Sequence, residues 1–253
     1  MIKDKNIKNI ISTKNAILEA LNSNVKIFNI YIPKDNQDND LNNIVNKAKN
    51  KGIRINYLNK DELSKFTNDK RTQNIFAEIE EYKYYEIDDI LEYASSKNEK
   101  PFIIILDEIE DPYNLGSIIR TAVASGCHGM IIKNRDACKV NNTVIKISSG
   151  TAFNIRIALV NNISKSIEYL KSQGLWIVGS DMDGTNMYET DLKGTTCLVM
   201  GNEGKGISKL VREKCDYICS IPMFEKAESL NVSNATSIMI YEIIRQNKYA
   251  TTK

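Results

Sequence analysis

Three stretches of this 253-residue chain carry side chains that a folded core would not choose. DPYNLGSIIR, from Asp111, holds Asn114 and Arg120. VMGNEGKGIS, from Val199, holds Gly201, Asn202, Glu203, Gly204 and Gly206. IPMFEKAESLNVSNA, from Ile221, holds Ser229, Asn231, Ser233 and Asn234. Each follows an apolar run of strand character, and parallel α/β sheets bind ligands at the carboxyl ends of their strands. Amides, a guanidinium and a carboxylate gathered there can face a ligand. In the third stretch one Ser or Asn would cap the helix announced by Val232, Ala235, Ile238, Met239, Tyr241 and Ile243. Four small polar groups exceed that need. A generous cap and a ligand-facing segment both fit the stretch alone; the two other loops favour the ligand.

The absent residues narrow the chemistry. His128 is the only histidine and lies in the apolar run HGMII, outside all three loops. An imidazole base is therefore unavailable there, and neither a His-based metal cluster nor a Ser-His-Asp triad is indicated. His128 itself reads as a packed structural residue. No G-x-G-x-x-G follows the strand at LDEIEDPYNLG, so the dinucleotide fingerprint is missing. GNEGKG puts its lysine before the last glycine and is followed by Ile207, so it is not a phosphate-cradling loop. The glycines are expected to let backbone approach a ligand closely.

The elements that must hold these loops are legible from periodicity. STKNAILEALN is helical with Ser12 or Thr13 as cap, KIFNIYI is a strand, DLNNIVNKAKNKG is a helix ending at Gly52, and IRINYL is a strand. Alternation through Ile75, Ala77 and Ile79 marks an edge strand. A small α/β unit thus ends near residue 85, and the acidic stretch at 86–100 reads as a linker or connecting helix. From Phe102 a second series begins: the continuous run FIIILDEI suits a central parallel strand, with GMIIK, IRIAL, LWIVGS, TTCLVMG and YICSIPM after it and helices between.

Composition bounds the setting. Hydrophobic residues make up 42% of the chain, enough for a sizeable core, with no run near the roughly 20 residues of a membrane span. Five scattered cysteines, without a C-x-x-C pair, suggest neither disulfides nor zinc, and a cytoplasmic location is expected. Net charge is only +2, yet residues 1–60 hold eleven Lys or Arg against five Asp or Glu. That basic end suits a polyanion such as nucleic acid, with Lys14, Lys26, Lys34, Lys47, Lys49, Lys51 and Arg54 as candidate phosphate contacts.

DPYNLGSIIRTA, LVMGNEGKGIS and IPMFEKAESLNVSNA, in that order, resemble the three motifs of the SpoU/TrmH (SPOUT) family of RNA 2′-O-ribose methyltransferases. The likeness is greatest to its bacterial RlmB-type branch, which acts on guanosine in 23S ribosomal RNA. The resemblance implies a fold of class α/β. It has a C-terminal parallel sheet with helices on both faces at 101–253, and a smaller N-terminal L30e/L7Ae-like RNA-binding domain at 1–85. It also implies a deep C-terminal trefoil knot, where periodicity alone would draw an unknotted sheet. Of the His-Gln-Gly common in that branch before its last N-terminal strand, TQNIFAE retains only Gln73.

By the same resemblance the cofactor is S-adenosylmethionine, held by Gly201, Ile221 and Leu230 with Met223 alongside. Arg120 would meet the phosphate beside the target ribose and assist loss of its 2′ proton. Asn114 would position that arginine or the ribose, Glu203 would orient loop and substrate, and Ser229 with Asn231 would bind substrate or steady the arginine. The implied partners are RNA and a second copy of the chain, with no membrane. The alternatives within the class are a transfer-RNA ribose methyltransferase or a resistance-type enzyme acting on an adenosine of 23S ribosomal RNA. From another class, a non-catalytic RNA-binding or assembly factor remains open.

Overall fold

The computed structural model describes residues 9–35, 38–66, 75–194, 197–224 and 229–249. The chain divides into two compact units, Met1–Lys83 with Val140–Asn154, and Tyr84–Lys139 with Ile155–Lys253. Gln73 lies outside the described residues.

The first unit runs β1 (Ile10–Ser12), α1 (Lys14–Asn22), β2 (Ile27–Pro33), α2 (Asn39–Asn50), β3 (Arg54–Leu58), α3 (Lys60–Leu63) and β4 (Phe76–Ile79). Thr13, one of the two caps expected, accepts from the Ala16 backbone N–H at 3.3 Å. α1 and α2 bury Ile17, Leu21, Leu41 and Ile44, the apolar stripes of their helical periods. The sheet order is β1-β4-β2-β3. β4 is therefore an inner strand, antiparallel to both neighbours, and not the expected edge. The three-residue β1, too short to show a period, supplies the missing partner through Ile10 opposite Glu78 and Ser12 opposite Phe76. Helix α6 (Asn142–Ile147), from the middle of the chain, belongs to this unit too.

The second unit opens with α4 (Ile87–Ser96), which occupies most of the stretch set apart at 86–100 as a connector. Its Ile90 is fully buried in the core, where a Cβ on Gly129 would come within 2.5 Å of the isoleucine side chain. Then follow β5 (Ile103–Leu106), α5 (Pro112–Ala124), β6 (Gly129–Lys133), β7 (Arg156–Val160), α7 (Ile163–Ser172), β8 (Ile177–Asn186), β9 (Cys197–Met200), α8 (Lys209–Arg212), β10 (Tyr217–Ser220) and α9 (Val232–Ile244). The strands order as β10-β8-β9-β5-β6-β7, and every neighbouring pair is parallel. Both faces of β5 and β9 are buried, which explains their unbroken apolar sequence. The order reverses between β5 and β9, so the loops after these strands diverge from a switch point.

His128 is 4% exposed at the base of β6, as a packed residue should be. Its Nδ1 accepts from the Phe102 N–H at 3.0 Å and Nε2 lies 3.1 Å from Glu99 Oε2, so the neutral ring satisfies both neighbours. Burial holds its pKa below the ordinary value, against the pull of Glu99.

Candidate functional site

Each of the three loops is built by local rules before it meets the others. Asp111 caps α5, accepting from the N–H groups of Tyr113 and Asn114 at 3.3 and 3.2 Å, and Pro112 takes the first helical position. Asn114 is thereby fixed in the first turn, 8% exposed. The loop after β9 closes on itself, Asn202 and Gly206 exchanging backbone hydrogen bonds of 3.0 and 2.9 Å. A Cβ on Gly201 would stand 2.1 Å from the Gly206 carbonyl carbon. Gly201 thus makes room for its own loop's backbone, a reason different from the ligand approach expected of it. The Asn202 side chain accepts from Gly204 N–H at 3.0 Å and donates to the Glu108 carbonyl at 2.9 Å, tying this loop to the end of β5.

The loops join at Glu203. Its Oε1 accepts from Asn114 Nδ2 at 3.0 Å and from Asn231 Nδ2 at 2.6 Å, and the Val232 N–H lies 3.4 Å away. Asn231 donates again, to Asn114 Oδ1 at 2.9 Å, which uses both hydrogens of its amide. Its Oδ1 caps α9, accepting from the N–H and hydroxyl of Ser233 at 3.0 and 2.6 Å. One asparagine therefore ends a helix with its oxygen and ties two other loops with its nitrogen. The carboxylate sits at the amino ends of α5 and α9, where the helix dipoles favour negative charge.

Beside this knot of polar groups lies a cavity of about 500 Å³. Gly201, Ile221, Met223 and Leu230 line it, as do Glu203 and Ser229. Asn114 and Asn231 stand behind Glu203, joined to it without reaching the cavity wall. Arg120 is not brought to the cavity. It is exposed on α5 and has no hydrogen bond or ion pair among the described residues. Its neighbour Thr121 shares a 3.1 Å hydrogen bond with Ser237 of α9.

Some of the wall escaped sequence reasoning. Asp181 and Met182, at the far part of β8, line the cavity, with Ser220 of β10 and Lys205. Arg212 of α8 holds Asp181 at 2.9 Å and Asp183 at 2.7 Å. The alternating acids of SDMDG were the available signal, but they attach to the site only through strand order. Among the basic candidates of the first unit, Lys14 is committed to Asp38 and to Asp40 at 3.3 Å, and Lys47 donates to Asn22 Oδ1 at 2.8 Å. Lys26 lies 5.3 Å over the Phe28 ring. Among the described residues no cluster of His, Cys, Asp and Glu could hold a metal ion, and no helix is long and apolar enough to cross a membrane.

Comparison with known proteins adds sequence likeness to this geometry. Residues 101–241 match the SpoU rRNA Methylase family, and residues 14–85 match a family described as RNA 2′-O ribose methyltransferase substrate binding. A Bacillus subtilis protein, YacO, assigned by name to the TrmH family of tRNA/rRNA methyltransferases, is 38% identical over 92% of this chain and 94% of its own. The 23S rRNA (guanosine-2′-O-)-methyltransferase RlmB of Neisseria meningitidis is 36% identical over 87% of this chain and 88% of its own. The crystal structure of the SpoU methyltransferase AviRb from Streptomyces viridochromogenes, in complex with AdoMet, superposes with a TM-score of 0.78. It covers 94% of this chain and 89% of that one at 24% identity, a likeness of fold.

Proposed function

The chain belongs to the SpoU rRNA methylase family, and from that premise we propose that it methylates a ribose 2′-hydroxyl of RNA with S-adenosylmethionine, at a guanosine of 23S ribosomal RNA. The observation that carries the proposal is the joining of Asn114 and Asn231 to Glu203, which itself lines the cavity. The cavity suits the donor: its volume lies in the range of small-ligand sites, about 300–1,000 Å³. Met200, Ile221 and Leu230 offer apolar wall for an adenine, while Asp181 and Glu203 set carboxylates near a cationic sulfonium. Gly201, Ile221, Met223 and Leu230 would hold it. Bound there, S-adenosylmethionine would supply an electrophilic methyl carbon to the ribose oxygen, the carbon–sulfur electron pair remaining on sulfur and the 2′ proton passing to solvent.

The chain's contribution is alignment and charge. Ser229 and Glu203 face the cavity and orient the ribose, with Asn114 and Asn231 locking the Glu203 carboxylate by charge-assisted hydrogen bonds. Alignment of this kind supplies up to about 7–11 kcal/mol of a barrier. Arg120 stays protonated and acts by stabilising the developing alkoxide beside a phosphate.

Because Arg120 lies outside its own chain's cavity, the site is completed between two copies. The exposed Ile238 and Tyr241 of α9 and Tyr113 of α5 supply apolar surface for a homodimer. The C-terminal chain is expected to form the family's trefoil knot, consistent with β9 lying between β8 and β5. The first unit grips RNA away from the methylated ribose, in keeping with its family match and with the excess of Lys and Arg in residues 1–60. Cytoplasmic RNA is the corresponding setting.

The test is calorimetry with S-adenosylmethionine, followed by mapping of 2′-O-methylation in ribosomal and transfer RNA from a strain lacking the gene. Saturable donor binding and loss of one 23S guanosine methylation are expected. A lost transfer-RNA or adenosine mark would reassign the substrate, and absence of donor binding would remove the enzymatic proposal.

A further inference from the structure

The mouth of the cavity has a composition that donor binding does not explain. Phe224 is 87% exposed, Met182 70% and Met223 37%. Met182 and Met223 line the cavity, and Phe224 follows Met223 directly. Apolar side chains exposed together at the edge of a cavity mark a binding surface, whereas single ones do not. Lys205 lies at the same wall, exposed, its ammonium without a side-chain hydrogen bond or close ion pair among the described residues though within electrostatic reach of Glu108. With Met223 left to the donor, a ring face, the Met182 thioether and an exposed cation together match a nucleotide, whose base has a π-face and whose phosphate is anionic.

Resting on the methyl-transfer reading above, we propose that Phe224 is the stacking floor for the base of the methylated nucleotide. Met182 packs along its edge, and Lys205 meets an adjoining phosphate. Covalent geometry supports the placement: the base is attached to C1′, next to the C2′ that carries the reacting oxygen. A ribose presented to the cavity must therefore bring its base to the rim. A stacked base must also leave its helix, so Phe224 selects nucleotides that are unpaired or easily extruded. A second copy of the chain is the weaker occupant, because Lys205 within the patch favours a polyanion.

The experiment measures steady-state methylation of RNA isolated from the gene-deletion strain, with labelled S-adenosylmethionine and full-length protein. Phe224→Ala is expected to raise KM for RNA on the order of tenfold, the scale of one lost base stack. Phe224→Trp restores it and Phe224→Leu restores it only in part. The Kd for S-adenosylmethionine by calorimetry, the Tm and the sedimentation coefficient stay at wild-type values. Lys205→Gln raises KM further at low salt and flattens its salt dependence. Unchanged KM in Phe224→Ala, full rescue by leucine, or a shift in sedimentation would overturn the proposal. Weakened donor binding in step with KM would assign Phe224 to the donor site instead. A wild-type protein that binds no S-adenosylmethionine would remove the methyl-transfer reading itself, a result separate from any behaviour of Phe224.

Discussion

Asn231 serves the fold and the site with different atoms, and that separation makes it testable. Serine at 231 keeps an oxygen able to cap α9, so Tm should fall little. It loses the amide donors to Glu203 and Asn114, whose bonds measure 2.6 and 2.9 Å. A bond to a charged group contributes roughly 1.5–3 kcal/mol, so turnover should drop tenfold or more. Thermal melting set beside kcat checks this, and equal losses in both would reduce Asn231 to a cap. Arg120 asks a different question. Lysine preserves charge without the guanidinium fork. If charge is what matters, Arg120→Lys should keep kcat within about tenfold of wild type while Arg120→Ala loses roughly a hundredfold. A lysine variant as poor as alanine would point to fork geometry. Sequence placed the residues of this network on separate loops. It could not say that Asn114 would bond to Glu203 rather than to Arg120, because six positions along α5 turn the two side chains to different faces.

The loop after β9 and helix α4 show what elements decide. Gly201 is required by a backbone that passes 2.1 Å from where its Cβ would be. Alanine there forces the loop open at a cost of roughly 1–3 kcal/mol. Gly201→Ala should therefore lower Tm and weaken S-adenosylmethionine binding together, as melting and calorimetry would show. The acidity of the stretch at 86–100 leaves linker and connecting helix both open; its solvent-facing acids and buried Ile90 and Ala94 are the two faces of one helix. Ile90→Ala should cost about 2–5 kcal/mol in denaturant unfolding, whereas truncation in a free tether would cost almost nothing. β4 teaches the complementary lesson. Its alternation correctly marked a strand, but edge or interior depends on a partner 68 residues away, at Ile10 opposite Glu78, about which the strand's own period is silent.

At the scale of the molecule, His128 couples pH to stability. Burial lowers its folded pKa from about 6.5, so the unfolded chain takes up the proton more readily. The stabilisation is complete above pH 6.5 and is lost as pH falls from there toward the lowered value. Protonation would also end the acceptance of the Phe102 N–H by Nδ1. Asparagine, whose Oδ1 can replace Nδ1, should flatten the Tm–pH curve of His128→Asn below about pH 6.5. Glu242, whose carboxyl Arg245 holds below its usual range, adds acid sensitivity only lower, below about pH 4.5. By itself the sequence determined the strand and helix alternation, the family and the three polar loops, because periodicity, turn residues and motif order are local properties of the chain. Only the tertiary structure decided that Val140–Asn154 joins the first unit, that β8 supplies Asp181 to the cavity, that Glu203 is the shared acceptor and that Arg120 does not line the cavity. These facts follow from which strands become neighbours and how far each side chain turns, and residues distant along the chain settle both together by packing.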